Sequence, residues 1–287
     1  MKINILHAGY CTAPEHIAIH GGHWRNIRFP AMFALLQHPH FGPMLFDTGY
    51  SHRFFDETKK FPNRFHRWIT PVTLHEEDLL INQLAAYGVR PQDVSRVFIS
   101  HFHADHIASL PDITRSRYIY MPHAYAHLRN LPPFEGIKHA FMRGLIPNDF
   151  DDRSQEVDLS KPTLLSEKYA PFRKGYDLLG DGSVMGVELP GHALGQMGIF
   201  VRDEAEKLFF FVADAAWLKR SILENRPPHR ITNLLFPDPA AYRETLGNLH
   251  TYQLTHPETL VIPSHCDETI RAQKSDLAPT LTILTRP

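Results

Sequence analysis

Seven consecutive residues, Ser100 to His106, constrain what this chain can fold into more than any other feature. They read Ser-His-Phe-His-Ala-Asp-His and follow the apolar run Val97-Phe98-Ile99, which is typical of a buried strand. Two histidines at i and i+2 on an extended segment point to the same side, and the turn after them can bring Asp105 and His106 inward. Nitrogen and carboxylate donors of this kind suit Zn²⁺ and other borderline first-row metals. The sequence therefore predicts a metal site at the point where a strand ends.

Three further donors follow apolar segments later in the chain. His192 lies in a turn bracketed by glycines, Asp214 comes directly after the apolar run 208–213, and His265 follows the short run 260–264. A buried carboxylate without a partner is costly, and a metal ion would supply that partner. Any one of these histidines taken alone is more simply a satisfied core or loop residue. Because several apolar segments each end in a donor, the whole set favours a metal centre over a chance distribution of the 20 histidines of the chain.

The order of these motifs resembles that of the metallo-β-lactamase-fold hydrolase superfamily, and within it the N-acyl-homoserine lactonase-type branch. The resemblance covers about residues 1–270. It is carried by His101-x-His103-x-Asp105-His106, Gly191-His192, Asp214 and His265, with Phe46-Asp47-Thr48-Gly49 and Gly180-Asp181-Gly182 as further similar turns.

The resemblance implies an α+β fold, a four-layer αββα sandwich, with two divalent metal ions at one edge. Zn²⁺ is the expected metal, with Fe or Mn as alternatives. The implied ligands are His101, His103 and His192 for the first metal, Asp105, His106 and His265 for the second, and Asp214 as the bridge. Such a pair would share a hydroxide that attacks a polarised carbonyl. Asp105 would orient this nucleophile and carry a proton to the leaving oxygen.

Two positions depart from the lactonase pattern. The tyrosine that lactonases usually carry three residues after the bridging aspartate is Trp217 here. Its indole N–H can donate a hydrogen bond, but it cannot act as a phenol acid. The Gly-Gly that often follows the Asp-His pair is replaced by Ala108-Ser109. We therefore take Asp105 and Trp217 as the candidate catalytic residues, and we leave homoserine lactone itself open as the substrate.

The expected activity is hydrolysis of an ester-type bond in a small molecule, with a lactone as the first choice. A thioester, another carboxylic ester or a phosphoric ester needs the same nucleophile and stays an alternative. Two readings from other classes remain open: a non-catalytic metal-binding regulator, which would be marked by loss of a ligand, and a mono-iron sulfur dioxygenase. Measured turnover distinguishes the regulator from an enzyme, and the metal content distinguishes the mono-iron dioxygenase from a dinuclear hydrolase.

Composition limits the partners and the compartment. A net charge of −1 without a long basic run argues against nucleic acid, and no apolar stretch approaches the length of a membrane span. Two cysteines, Cys11 and Cys266, cannot form a disulfide scaffold, and the first residues lack a signal-peptide pattern. We expect a cytoplasmic protein, with a homodimer left open. We expect Cys266 to be a plain buried thiol, although it adjoins a candidate ligand.

The chain is expected to form one domain over residues 1–287, because the donors run from His101 to His265. A helical cap insertion is predicted at about 122–150, where two helical patterns, 123–128 and 137–142, lie among prolines. Its histidines, His123, His127 and His139, are expected to be solvated or to line a pocket wall.

Three other segments carry expectations of their own. The aromatic and basic segment 51–73 is predicted to be irregular and partly helical, and either to line a pocket or to form a dimer contact. A helix is predicted from about His75 to Tyr87, capped by Thr73 and ended by Gly88. The tail from about Lys274 to Pro287 is read as a final strand or a loose end.

Overall fold

The structure is a computed structural model that describes the backbone of residues 1–276 and the side chains of residues 1–272. Most of the tail for which the sequence predicts a final strand or a loose end, residues 277–287, lies outside the described residues. Its first three residues, 274–276, belong to a helix instead.

Two β-sheets form the centre of the described part of the chain. The first contains β1 (Lys2–Pro14), β2 (Asn26–His38), β3 (Gly42–Phe46), β4 (Val72–Thr73), β5 (Arg96–Phe98), β6 (Arg117–Tyr120) and β7 (Ser154–Glu156), in the order β4-β1-β2-β3-β5-β6-β7. The second contains β8 (Thr163–Leu164), β9 (Lys174–Asp177), β10 (Val184–Glu188), β11 (Met197–Arg202), β12 (Leu208–Ala213) and β13 (Leu260–Pro263), in the order β13-β12-β11-β10-β9-β8.

Helices flank the two sheets. They are α1 (Glu15–Ala18), α2 (His52–Glu57), α3 (Arg64–Ile69), α4 (Leu80–Ala86), α5 (Ala104–Ile107), α6 (Ala124–Leu128), α7 (Pro133–Lys138), α8 (Phe150–Arg153), α9 (Lys219–Leu223), α10 (Pro239–Thr255) and α11 (Asp267–Asp276). Within residues 1–276, none of these helices has the length and apolar character that a membrane crossing requires.

The alternation of side chains along each strand creates three separate apolar layers. In β2, Leu35 packs toward the helices of the first sheet, whereas Leu36 enters the layer between the two sheets. In β12, Phe211 enters that same central layer, whereas Phe210 packs against the face covered by α9 and α10. Full burial of one such side chain contributes roughly 1.5–3 kcal/mol. The layers stack as helix, sheet, sheet and helix, which confirms the predicted α+β sandwich.

Parallel pairing brings the predicted donors to one edge of the sandwich. β3 pairs in parallel with β5, and β12 pairs in parallel with β13. The carboxyl ends of parallel neighbours lie side by side, so the segments that follow these strands meet. A hydrogen bond of 2.8 Å from the Met197 amide to the Ser100 carbonyl joins the two sheets there.

The predicted helix over residues 75–87 is shorter than expected. Leu79 has an extended backbone, with φ −59° and ψ 135°, and separates a 3-10 turn at Glu76–Asp78 from α4. Thr73, predicted as the helix cap, lies in β4 and pairs with Tyr10 of β1. A polar residue before an apolar run has the pattern of a helix cap, but the pairing of its backbone with β1 makes Thr73 part of a strand.

The segment between β6 and β7 contains the helices predicted for the cap. α6 matches the pattern at 123–128, whereas the second helix, α7, ends at Lys138 and does not continue through 137–142. Ala140 has a φ of 44°, which is incompatible with a continuing helix. The carbonyl of Ala140 accepts a 3.1 Å hydrogen bond from the Ala104 amide, so this segment is attached directly to the loop of the predicted metal ligands.

Candidate metal centre

The structure brings all of the predicted ligands together in two groups. Within each group, the candidate ligand atoms lie within 4.8 Å of one another. The first group is His101, His103, His192 and Asp214, and the second is Asp105, His106 and His265. This division is the one that the family resemblance implies.

The Asp214 carboxylate lies between the two groups. Its Oδ2 is 3.2 Å from Nε2 of His192 in the first group and 3.0 Å from Nε2 of His265 in the second. Its Oδ1 is 3.3 Å from Nε2 of His106. One carboxylate therefore faces donors of both groups, as a bridging ligand must.

Strained backbone and a close helix position these donors. Ala213, directly before Asp214, has a φ of 48°, and Asp47 at the end of β3 has a φ of 59°. Non-glycine residues in this region cost on the order of 1–3 kcal/mol each, and such strain is typical of functional sites. The turn that holds His192 is tied to α10, because Thr245 Oγ1 donates a 2.8 Å hydrogen bond to the Pro190 carbonyl.

Hydrogen bonds behind the ligands orient their rings. Nδ1 of His106 lies 2.7 Å from Oδ2 of the fully buried Asp47, which also accepts bonds from the Ser100 amide at 2.8 Å and the Ser100 hydroxyl at 2.7 Å. Nδ1 of His265 lies 2.8 Å from the Pro30 carbonyl oxygen. Such contacts select the tautomer in which Nδ1 carries the proton and Nε2 faces the centre. The sequence indicated Asp47 only as part of a turn motif.

The buried polar atoms of the site fit a pair of cations. Among the described residues, Nε2 of His101, Nε2 of His106 and Oδ1 of Asp214 are buried donor-group atoms without a hydrogen-bond partner. Nδ1 of His103 and Nε2 of His192 lie only 3.1 Å apart. Orphaned polar atoms of this kind are costly in a protein interior unless a ligand satisfies them. The imidazole-rich donor set suits zinc or iron better than calcium or magnesium.

The pKa shifts of the site residues also favour bound cations. Burial holds the pKa of His101 and of His103 well below the usual range, so both rings are neutral and offer lone pairs. Burial alone would raise the pKa of Asp214, but His265, His106 and His192 together hold it well below its usual range. Burial opposes the charged form of His265, yet Asp214 and Asp105 raise its pKa. The carboxylates therefore demand positive charge at this place, which bound cations would supply.

Trp217 lies in the site, but its N–H group is already engaged. The indole Nε1 donates a 3.1 Å hydrogen bond to Oδ2 of Asp214. The ring stands edge-on to Phe29, His192 and Phe236, with centroid distances of 5.8–6.3 Å. The indole thus orients the central carboxylate. A contact between this N–H and a substrate carbonyl stays a prediction.

Cys11 and Tyr50 also border the centre, although sequence reasoning did not select them. Cys11 pairs with Phe29 in the β1–β2 register, and directly opposed residues share a face of the sheet. The Phe29 ring in turn lies 6.0 Å from the His265 ring. Burial, with a contribution from Asp105, raises the pKa of the Cys11 thiol to about 12, and the Tyr50 hydroxyl interacts with it. Cys266 is a free, buried thiol, as expected.

The histidines of the predicted cap segment lie outside the two donor groups. The rings of His127 and His139 are 5.7 Å apart. His139 lines a small cleft together with His103, Phe102 and Leu128. It is therefore a pocket-wall residue, one of the two options that the sequence left open.

The family model described as Metallo-beta-lactamase superfamily matches residues 38–265. The chain is 25% identical over 218 residues to N-acyl homoserine lactonase AttM of Rhizobium radiobacter, which covers 76% of this chain and 77% of that protein. It is 22% identical over 232 residues to N-acyl homoserine lactonase AiiA of Bacillus thuringiensis subsp. kurstaki, with 79% and 80% coverage.

Solved structures show the same fold at low sequence identity. One is an N-acyl homoserine lactone hydrolase with the product N-hexanoyl-L-homoserine at its catalytic metal center. It has a TM-score of 0.73 and 18% identity, over 94% of this chain and 95% of that chain. Another is AidC, described as a dizinc quorum-quenching lactonase, with a TM-score of 0.63 and 15% identity over 93% and 90% of the two chains.

The family model spans β3 to the end of β13, and its match therefore includes every candidate ligand from His101 to His265. The layered sheets, the strand-end donors and this match agree with one another. The chain belongs to the metallo-beta-lactamase superfamily.

Proposed function

We propose that this protein is a dinuclear, zinc-dependent hydrolase that opens the ring of a small-molecule lactone. The observation that carries the proposal is the position of Asp214, whose carboxylate lies 3.0–3.3 Å from histidine nitrogens of both donor groups. The lactone is favoured because the relatives AttM and AiiA are both named as N-acyl homoserine lactonases.

The proposed ligands divide as the donor groups do. His101, His103 and His192 would hold one cation, Asp105, His106 and His265 would hold the other, and Asp214 would contact both. Two divalent cations held by these residues would lower the pKa of a bound water and polarise a carbonyl oxygen. Asp47 and the Pro30 carbonyl hold the rings of His106 and His265 from behind, so that little reorganisation is needed when the ligands act.

Asp105 is the proposed proton carrier. Its side chain is 15% exposed, whereas that of Asp214 is 4% exposed, so Asp105 can reach both an incoming water and a leaving group. Its Oδ2 lies 3.4 Å from Nε2 of His265. We propose that Asp105 accepts the proton of the attacking water and returns it to the leaving alkoxide. The Trp217 N–H keeps the Asp214 carboxylate in place and, where it turns away from Asp214, can donate to the substrate carbonyl.

Other ester substrates remain the second candidate. A thioester, another carboxylic ester or a phosphoric ester would use the same donors, and the indole at position 217 is the specific feature that departs from the lactonase pattern. A non-catalytic regulator would bind metal without turnover. A mono-iron sulfur dioxygenase would hold a single iron and would not hydrolyse esters.

The experiment is metal analysis of the purified protein by mass spectrometry, run in parallel with a panel of lactones, thioesters, carboxylic esters and phosphodiesters. We expect two zinc ions per chain and turnover of lactones. Two metals with a different preferred ester would keep the mechanism and replace the substrate. One iron without hydrolysis would refute the proposal, and two metals without any turnover would favour the regulator.

Two further parts of this proposal concern the cellular location and the oligomeric state of the protein. A cytoplasmic location rests on the paucity of cysteines. A homodimer would have a natural contact in the exposed aromatic patch, which consists of Phe61, Phe65, Trp68 and Phe134. Light scattering of the purified protein tests the second point.

A further inference from the structure

Helix α3 carries its apolar residues on a side that faces solvent. Phe65, Trp68 and Ile69 have the i, i+3, i+4 spacing of one helix face and are 41%, 65% and 75% exposed. His66, which lies outside this face, is the residue that packs inward, with its ring edge-on to the buried Phe54 at 5.7 Å. A helix at the surface of a soluble protein normally turns its apolar face toward the core. In α3 this face is left largely uncovered by the described part of the chain.

The aromatic patch continues the apolar face of α3 to a second helix. The ring of Phe61 lies 5.3 Å from that of Phe65 and 5.4 Å from that of Phe134 in α7. The ring of Phe65 lies 5.6 Å from that of Trp68. The exposed rings therefore form one continuous surface across two helices. Contiguous apolar surface of this kind marks a contact with a partner or with a membrane, whereas single exposed apolar residues are ordinary.

Positive charge borders the aromatic patch. Residues 58–75 contain four Lys and Arg residues and no Asp or Glu, although the whole chain has a net charge of −1. The two lysines pair with carboxylates just before this segment. Within the described side chains, neither Arg64 nor Arg67 pairs with a carboxylate. Their guanidinium groups lie instead over the rings of Trp68 and Phe55, at 6.0 and 5.2 Å from the ring centroids. A partner of this surface should therefore bring negative charge.

The aromatic patch is connected to the metal centre through α7. Phe134 is near the start of this helix, and His139, the residue directly after its end, lines the cleft that contains His103. The carbonyl of Ala140 accepts the 3.1 Å hydrogen bond from the Ala104 amide, in the loop of the proposed ligands. A partner that covers the patch would therefore lie beside the segment that borders the metal centre.

We propose that the aromatic patch, together with Ile69, Arg64 and Arg67, is a docking surface for a bilayer that contains anionic phospholipid. Helices that lie in a membrane interface combine Trp and Phe on one face with Lys and Arg beside it. Aromatic rings favour the headgroup level of a bilayer. Lipid phosphate and carboxylate groups supply the negative charge that the two arginines lack. This inference concerns where the protein works and holds whichever ester it cleaves.

A second copy of the chain is the competing occupant of the aromatic patch. A two-fold dimer sets the same surface of both copies against each other. Arg64 and Arg67 would then approach the same arginines of the other copy, and like charges that meet in a contact are repulsive. The excess of positive charge therefore favours anionic lipid over self-pairing.

Co-sedimentation of the zinc-loaded protein with lipid vesicles tests the proposal. Vesicles of phosphatidylcholine alone are compared with vesicles of phosphatidylcholine and phosphatidylserine. An arginine near an anionic surface strengthens binding by roughly 5-fold, so we expect the two arginines to give roughly 25-fold tighter binding to the phosphatidylserine vesicles. Arg64→Gln combined with Arg67→Gln should remove this difference. Trp68→Ser should weaken binding to both kinds of vesicle by about 10-fold or more, because a large apolar side chain no longer enters the interface.

Matched controls change the same residue types at other places. Arg90→Gln combined with Arg173→Gln removes two exposed arginines that are ion-paired elsewhere, and Trp24→Ser removes an indole that is more exposed than Trp68. Both controls should bind vesicles like the wild type. All of these side chains lie at the surface, so thermal unfolding should stay close to that of the wild type. Equal losses in the controls, or no preference for phosphatidylserine, would overturn the proposal.

A fluorescence measurement tests contact with the bilayer directly. Phosphatidylcholine with brominated acyl chains, mixed with phosphatidylserine, quenches an indole that enters the bilayer. Quenching should persist in Trp24→Phe and be largely lost in Trp68→Phe. Absence of vesicle binding, together with a dimer in light scattering that Trp68→Ser dissociates, would assign the patch to a second copy and overturn the proposal. Neither measurement requires turnover, so a failure of the proposed hydrolysis would leave this test intact.

Discussion

Replacement of Asp47 by asparagine tests whether metal binding depends on the hydrogen bonds behind the ligands. The Asp47 carboxylate is fully buried and contacts the Ser100 amide at 2.8 Å, the Ser100 hydroxyl at 2.7 Å and His106 Nδ1 at 2.7 Å. An asparagine has one acceptor oxygen and one donor group. If the oxygen stays on the Ser100 amide, the new NH₂ group faces His106. The Ser100 hydroxyl can rotate and accept, but the His106 N–H cannot.

The expected magnitude follows from that mismatch. A buried donor without a partner costs about 1–3 kcal/mol of folding stability. Loss of the group that orients a metal-bound histidine lowers metal affinity about 10- to 100-fold. At about 1.4 kcal/mol per factor of ten, this is about 1.4–2.8 kcal/mol of binding free energy. We expect the loss to concern the cation held by His106, with the other cation affected less.

The assay is competition for zinc with a chromogenic chelator, together with thermal unfolding of the metal-free protein. Asp177→Asn is the matched control, because Asp177 also has three hydrogen-bond donors around its carboxylate, here the backbone N–H groups of Leu179, Gly180 and Gly182 in a turn between β9 and β10. The control should lose stability and keep zinc affinity. An Asp47→Asn protein that binds both zinc ions like the wild type would refute the reasoning.

Four other variants test the site. Asp214→Asn should lower metal content below two per chain and abolish hydrolysis, because a neutral amide bridges two cations poorly; two metals with full activity would contradict the dinuclear assignment. Asp105→Ala should reduce kcat by about 10²- to 10⁴-fold with a smaller change in KM, and an unchanged kcat would exclude it as the proton carrier. Trp217→Tyr should raise lactone turnover relative to other esters, and an unchanged ranking in the ester panel would remove position 217 from specificity. Gly191→Ala should destabilise the fold, because φ is 125° and a Cβ would lie 2.2 Å from the Tyr242 amide nitrogen. The backbone strain by itself costs about 1–3 kcal/mol. A free energy of unfolding in urea within about 0.5 kcal/mol of the wild type, the usual span of a neutral surface change, would contradict this prediction.

The candidate ligands were predicted from short stretches of sequence, in which an apolar run is followed directly by a donor residue. An apolar run followed at once by His, Asp or a glycine-bracketed His indicates a strand and the donor at its end, as at Phe98 and His101 or Ala213 and Asp214. Strand direction then carries each donor to an edge, whatever the details of packing. That is why a linear pattern anticipated the two groups, although only the family resemblance indicated which residues belong to which group.

Local signals failed where cross-strand or cross-loop contacts decided the outcome. Thr73 has the residue type of a helix cap, but its pairing with Tyr10 places it in β4. Cys11 faces the site because the β1–β2 register sets it opposite Phe29, a pairing between residues 18 positions apart in the chain. The indole of Trp217 bonds Asp214, and the sequence indicated only that a donor was present.

The amino-acid order by itself determined the strand-end donors and a mixed α and β class, because both depend on residue type and on periodicity along a short stretch. The layered sandwich was implied only by the resemblance of the motifs to the superfamily. Only the tertiary structure decided which side chains complete the site. Asp47 and His106 are 59 residues apart in the chain, so no local pattern marks this carboxylate as the partner of that ring. The contacts of Asp47 with Ser100 and His106 orient that ring and fix its proton, and such contacts exist only once distant segments have packed together.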